Sequence, residues 1–144
     1  MQPHLKRAVY SIAVLALALI FYGVFGRNTL LLSLENDTVT LTGPESSSYA
    51  VPHPAISSME LRESFEPGAA VDGGVKNRIR YGTWQNEEFG AYQLFASEKI
   101  RPVIVLRTKG GDTLVFNYES EKTTRSFFAT FTAYLSEAGY LTGD

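Results

Sequence analysis

A chain of 144 residues with 13 basic and 15 acidic side chains, two histidines and no cysteine has room for one ordinary domain. Without Cys it can form no disulfide, thiolate nucleophile, zinc–thiolate site or iron–sulfur cluster. Lys6, Arg7 and Arg27 are the only charges in the first 27 residues, leaving ten basic against fifteen acidic side chains beyond them; so acidic a remainder lacks the positive field that a nucleic-acid backbone requires, and wholesale adhesion to anionic lipid is weakened as well.

Residues 8–26, AVYSIAVLALALIFYGVFG, form a run of 19 without a charge. As a helix it would extend about 28 Å, close to the ~30 Å hydrocarbon thickness of a bilayer. Tyr10 and Tyr22 lie near its ends and Lys6, Arg7 and Arg27 flank it, the arrangement of interfacial rings and snorkelling cations. The run is apolar all round, unlike a core helix, which keeps a polar stripe. It exceeds the usual apolar core of a cleaved signal peptide, so an uncleaved transmembrane helix is favoured over cleavage after Gly26. More positive charge precedes the run than follows it, which places the N-terminus in the cytoplasm and the domain outside. Residues 1–27 are thus expected to be a membrane anchor and 28–144 a single domain, with residues 8–26 in contact with the bilayer.

Beyond Arg27 the hydrophobic period shortens. Leu30 to Leu34 and Thr38 to Thr42 alternate about an Asn36-Asp37 turn signal, which predicts a hairpin. A third short strand is expected around Tyr49 to Val51, ending where Pro52 and Pro54 deny it regular ladder bonds. Ile56 to Glu63 reads as a strand with Met59 and Leu61 opposite Glu60 and Arg62. Glu66 to Gly74, with three glycines and a proline in nine residues, is expected to be a mobile loop. Four more strands are expected at Arg78 to Thr83, Ala91 to Ala96, Val103 to Thr108 and Thr113 to Tyr118, the last two joined by Lys109-Gly110-Gly111-Asp112. The period then turns helical: Phe127, Phe128, Phe131, Tyr134, Leu135 and Ala138 fall on one face, with Ser120 as N-cap, Glu121 at the helix N-terminus and Gly139 as the terminating residue. The pattern predicts a mainly β domain, an antiparallel sandwich or partly open barrel, closed by a C-terminal amphipathic helix.

Several phrases carry a family likeness: Tyr49-Ala-Val-Pro-His-Pro-Ala-Ile56 leading to Met59-Glu-Leu61, Gly90-Ala-Tyr-Gln-Leu-Phe95, Pro102-Val-Ile-Val-Leu-Arg-Thr108, Gly111-Asp112-Thr113, Leu114 to Tyr118, and Phe127-Phe128 in the helix. Over Leu30 to Leu135 the chain resembles the bacterial pleckstrin-homology-like domains, small β-sandwiches with a C-terminal helix, and the apolar N-terminal span resembles the membrane attachment common among them. The resemblance implies a binding or scaffolding module. It supplies neither catalytic residues nor a shared ligand.

Chemistry-bearing constellations are sparse. His4 precedes the apolar run, and His53, between two prolines, reads as a surface turn residue, so a Ser-His-Asp arrangement would rest on His53 alone. Serines 46 to 48 read as loop. Glu87-Glu88 and Glu119/Glu121 lack calcium-loop spacing and read as solvated turn charges; no metal and no cofactor is expected. Lys76, Arg78 and Arg80 gather three cations beside Trp84, the one tryptophan. On a strand Arg78 and Arg80 would share a face and could clamp a phosphate or carboxylate, while a solvated face paired with nearby Glu residues is the simpler reading. The expectation is therefore a non-enzymatic, single-pass protein of the bacterial inner membrane whose outer domain engages an envelope protein of unknown identity. Recognition of an anionic headgroup or small anion through Arg78 and Arg80 is the alternative.

Overall fold

The structure, a computed structural model, describes residues 30–141; the expected anchor at residues 8–26 lies outside them. Nine strands and one long helix follow in chain order: β1 (Leu31–Ser33), β2 (Thr38–Thr42), β3 (Ser48–Pro52), β4 (Ile56–Arg62), β5 (Ala69–Lys76), β6 (Ile79–Asn86), β7 (Gly90–Ser97), β8 (Val103–Thr108), β9 (Thr113–Phe116) and α1 (Glu121–Glu137). The domain is mainly β, with a three-stranded sheet in the order β1-β2-β3 and a six-stranded sheet in the order β4-β8-β9-β7-β6-β5. Among the described residues no helix is long and apolar enough to cross a membrane.

The small sheet is the expected meander. Its first turn bends through Asn36 and Asp37, both at positive φ, a conformation that Asn and Asp tolerate better than other side chains. Thr38 and Pro52 face one another at the end of the β2–β3 ladder, and β3 stops there, as a residue without an N–H requires.

The large sheet departs from an all-antiparallel arrangement at one place. β9 returns antiparallel to β8 through the Lys109–Asp112 turn, yet it lies between β8 and β7 and runs parallel to β7. Its position follows from burial. Val103 to Leu106 and Thr113 to Phe116 are buried at every residue, so both strands need cover on both faces, which only central places in a sheet provide. Ile104, Leu106, Leu114 and Phe116 join Leu32, Val39, Leu41 and Val51 of the small sheet in one core. On the outer face Val103, Val105, Val115, Leu94 and Ala96 form a second cluster with Trp84 and Tyr92, against which Phe65 and Phe89 pack.

The segment expected to be a mobile loop is instead half strand. β5 pairs with β6 along its whole length, because its glycines permit a closer approach than side chains would. Gly73 faces Gly82; a Cβ on Gly73 would lie 2.0 Å from the Tyr81 carbonyl oxygen, and one on Gly82, itself at φ +89°, would lie 2.5 Å from that of Asp72. The part of the segment that does remain a connection, residues 63–68, runs from one edge strand of the sheet to the other. It is pinned on the way by hydrogen bonds from Tyr92 Oη to the Pro67 carbonyl (2.7 Å) and from Asn86 Nδ2 to the Glu66 carbonyl (2.7 Å).

Helix α1 begins and ends as its sequence directs. Ser120 Oγ accepts from the Thr123 N–H at 3.0 Å, and Gly139, at φ +84°, closes the other end with Tyr140 N–H donating to the Leu135 carbonyl at 2.9 Å, the pairing of a Schellman cap. Phe127, Phe131 and Leu135 are fully buried, with Phe131 stacked between Phe127 and Tyr134 at centroid distances of 5.1 and 5.9 Å. Thr124, also buried, ties the helix to the end of β9: its hydroxyl donates to the Tyr118 carbonyl at 3.0 Å and accepts from the Tyr118 N–H at 2.9 Å. Phe131→Ala should cost roughly 3–5 kcal/mol, the usual penalty for emptying a buried ring site. Lys122→Ala, on the exposed side of the same helix, should stay within about 0.5 kcal/mol. Urea denaturation of the full-length chain in detergent compares the two, and equal losses would mean that α1 does not close the core as described.

Candidate functional site

The four residues singled out as a cationic cluster do not converge on one site. Asn77 and Arg78, both at positive φ, form the two-residue turn that joins β5 to β6. This is the left-handed pair that hairpins of this length select. Arg78 is therefore outside the strand, and the expectation that Arg78 and Arg80 share a strand face is corrected. The two still meet at one partner: Arg78 Nε lies 3.8 Å from Glu98 Oε1 and Arg80 Nη2 lies 3.2 Å from Glu98 Oε2. Lys76 points elsewhere, onto Glu45 in the β2–β3 turn, and the contact holds its ammonium pKa above the usual lysine value. Trp84 is buried in the outer cluster and its Nε1–H donates to the Tyr81 carbonyl at 3.0 Å. It has no exposed ring face to offer a ligand beside the arginines.

His53 is also not where the sequence suggested. It is 2 % exposed rather than a surface turn residue, and neither ring nitrogen has a hydrogen-bond partner. The flanking prolines make a tight corner between β3 and β4, and that corner turns the imidazole inward against α1. Phe131, Tyr134 and Tyr140 meet it edge-on at centroid distances of 5.2, 5.6 and 6.2 Å. Burial lowers its pKa; Asp37, whose Oδ1 is 4.0 Å from Nδ1, acts in the opposite direction with smaller effect.

What the sequence reading missed is the free side of β5. This eight-residue strand is the last in its sheet and pairs only with β6. Among the described residues, Val71 and Val75 are the large apolar side chains left exposed, at 61 % and 50 %. By register Ala70 lies opposite Trp84 and Val75 opposite Arg80, which puts both on the outer face of the sheet, while Val71 is the extra residue of a bulge between Ala70 and Asp72. The inner side of β5 borders a cleft of 570 Å³ between the β2–β3 turn and the large sheet, lined by Glu45, Ser47, Asp72, Gly73 and Tyr81 among others. The small sheet thus leaves a cleft along the inner side of β5 and reaches the strand at its last residue, where Lys76 meets Glu45. β-Branched Val71 and Val75 inside the glycine run were the available sequence signal. Among the described residues no group of three or more His, Asp or Glu side chains is placed to hold a metal ion.

Comparison with protein-family models, with curated proteins and with solved structures finds no match for this chain.

The buried imidazole gives stability a pH dependence of defined sign. Below the ordinary histidine value of 6.5 the unfolded chain takes up a proton that the folded chain resists, so unfolding gains as pH falls. Above that value both states are neutral and the contribution vanishes. Urea titrations at a series of pH values should show wild type losing more stability than His53→Leu between about pH 7 and 5. Parallel curves for the two proteins would show that the imidazole is not protected from protonation.

Proposed function

We propose that this is a membrane-anchored, non-catalytic binding domain that engages a protein partner in the cell envelope by adding the partner's extended segment to the free edge of β5. The observation that carries the reading is the edge itself: eight residues long, without proline, and bearing two exposed valines. Soluble domains ordinarily blunt such an edge with charges, proline, a bulge or a covering element, because its unpaired N–H and C=O groups template another strand; β5 carries a bulge and the charges of Asp72 and Lys76 but no proline, and among the described residues no strand pairs with its free side. Proteins that recognise extended peptides use such an edge, with main-chain bonds giving affinity and alternate side chains giving selectivity. The non-catalytic part of the reading is supported by His53, the histidine of the domain, which is closed off in an aromatic cage where it cannot serve as a surface base. The apolar run at residues 8–26 supplies the anchor. With the charge bias around it, that run supports a single-pass inner-membrane protein whose domain faces outward, in keeping with the resemblance to pleckstrin-homology-like domains.

Anion recognition by Arg78 and Arg80 is the weaker reading, because both guanidiniums are directed at Glu98 and an anion would have to displace that carboxylate.

A photo-crosslinking amino acid placed at Val75 of the full-length protein in native membranes should give a discrete protein adduct. The same probe at Lys122, on the exposed side of α1, should not. Adding Val71→Lys should remove the Val75 adduct without altering the far-ultraviolet circular dichroism. Adducts of equal yield at both probe positions, or none at Val75, would argue against the edge as the binding surface.

A further inference from the structure

We infer that the partner of the β5 edge is a second copy of this chain, whose own β5 pairs antiparallel with the first about a two-fold axis at Gly74. The inference rests on the edge reading above, and it follows from how the regular part of β5 matches itself.

β5 is regular between two interruptions. The bulge at Val71 lies on one side and the Asn77–Arg78 turn on the other, which leaves five residues, Asp72 to Lys76, in unbroken register with β6. In an isologous antiparallel pair, residue i faces j and j faces i. For the whole regular run to pair with itself, the axis must pass through its middle residue, Gly74. Asp72 then stands opposite Lys76 of the second copy, Lys76 opposite its Asp72, and Gly73 opposite its Val75.

The side-chain faces agree with this register. Lys76 lies opposite Ile79, a core residue, so Lys76, Gly74 and Asp72 share the side of the sheet that carries the small sheet, while Gly73 and Val75 share the other. Opposite charges therefore meet on one side of the joint. On the other side each exposed Val75 takes the space beside a glycine. A register centred on Asp72 or on Lys76 would set like charges face to face, which directly opposed strand positions disfavour. Of the two carboxylates that strands carry, Glu60 is held by Arg62, whereas Asp72 has no ion-pair partner among the described residues. Lys76 already holds Glu45 of its own chain, but an ammonium has three N–H donors and can serve a second carboxylate.

β4, the other outer strand of the large sheet, runs in the same direction as β5 and could meet it in parallel. On the small-sheet side, however, β4 presents Met59 and Leu61, which match neither Asp72 nor Lys76. The antiparallel pair is also compatible with a shared bilayer. Its axis is normal to the joined sheet, to which each copy contributes six strands, so both small sheets lie on one face. The described chain begins at Leu30, just before β1 of the small sheet, so both N-terminal ends belong to that face and one membrane can hold both anchors. A five-residue ladder is short, and confinement of anchored chains to one bilayer raises the effective concentration at which it forms.

Two differently tagged full-length chains, co-expressed with a photo-crosslinker at Val75, test the pairing in native membranes. Wild type should give an adduct of two chains whose crosslinked peptides both come from β5. Asp72→Lys in both copies sets cations opposite Lys76, and Lys76→Asp in both copies sets carboxylates opposite Asp72; each should lower the adduct yield severalfold. With Asp72→Lys in one copy and Lys76→Asp in the other the yield should recover, because every cation then faces a carboxylate. That recovery separates a lost contact from a chain that fails to fold. Yields indifferent to these charges, failure of the mixed pair to recover, or crosslinked peptides from β4 would overturn the inference. An adduct to another protein alone would also overturn it while leaving the β5 edge as a binding surface. Absence of any adduct would overturn the edge reading and the inference with it.

Discussion

The constraint on which the rest of the domain depends is that β8 and β9 are apolar on both faces. A Val, Leu or Phe taken fully out of water contributes about 1.5–3 kcal/mol, so a sheet exposing either side of these strands would forfeit much of its stability. One side is covered by the meander and by α1, whose Phe127, Phe131 and Tyr134 stack along the helix and share one core with Leu32, Val39 and Leu41. Among the described residues the other side is covered not by a second sheet or helix but by Phe65 and Phe89. The connection from β4 to β5 thus has two roles, since it links opposite edges of the sheet and lays Phe65 over the outer cluster. Tyr92 shows the same economy: its ring is part of that cluster, its hydroxyl holds Pro67 in place, and burial raises its pKa.

Much of this was legible in the sequence. Alternation located the meander, β4, β7, β8 and β9 within a residue or two, and Ser120, the phenylalanine stripe and Gly139 marked α1 from cap to cap. The misreadings have a common physical origin. Local signals report what a residue does to its own backbone, whereas the outcome was decided by what it meets across the fold. Gly73 was read as a breaker because glycine costs conformational entropy, yet opposite Gly82 it is what the strand pairing requires. His53 was read as exposed because prolines flank it, yet those prolines turn it under α1. Arg78 was read as strand, although the Asn before it begins a turn that takes both residues to positive φ. The parallel position of β9 had no local signal at all, since a central parallel strand and a central antiparallel strand are equally apolar.

The cationic cluster and the strand edge differ in how far their bonding capacity is already met. Arg78 and Arg80 share Glu98, and Lys76 holds Glu45; exposed pairs of this kind contribute little to stability, but they occupy the groups that an anion would need. Arg62 is similarly engaged by Glu60 and Glu88, and Arg125 by Glu63 and Glu121. Among the described residues no strand pairs with the main-chain groups on the free side of β5, which leaves them to solvent. A ligand that brings its own row of N–H and C=O groups replaces those water contacts one for one and gains the burial of Val71 and Val75 besides.

An edge that open would also invite indiscriminate pairing, and β5 carries features that restrict it. The bulge at Val71 breaks the strand into two short runs, so an incoming segment must match its irregular register or forgo bonds at one end. Asp72 follows immediately, and a partner without a complementary charge would bury part of that carboxylate uncompensated. Gly73 and Gly74 give a partner no side chains to grip, which throws discrimination onto Val75 and the two charged positions. Lys76, tied to Glu45, fixes the strand's last residue against the small sheet. A flat valine-rich edge would pair with many extended chains, whereas the register and charge of this one restrict which segments could pair with it before apolar burial contributes.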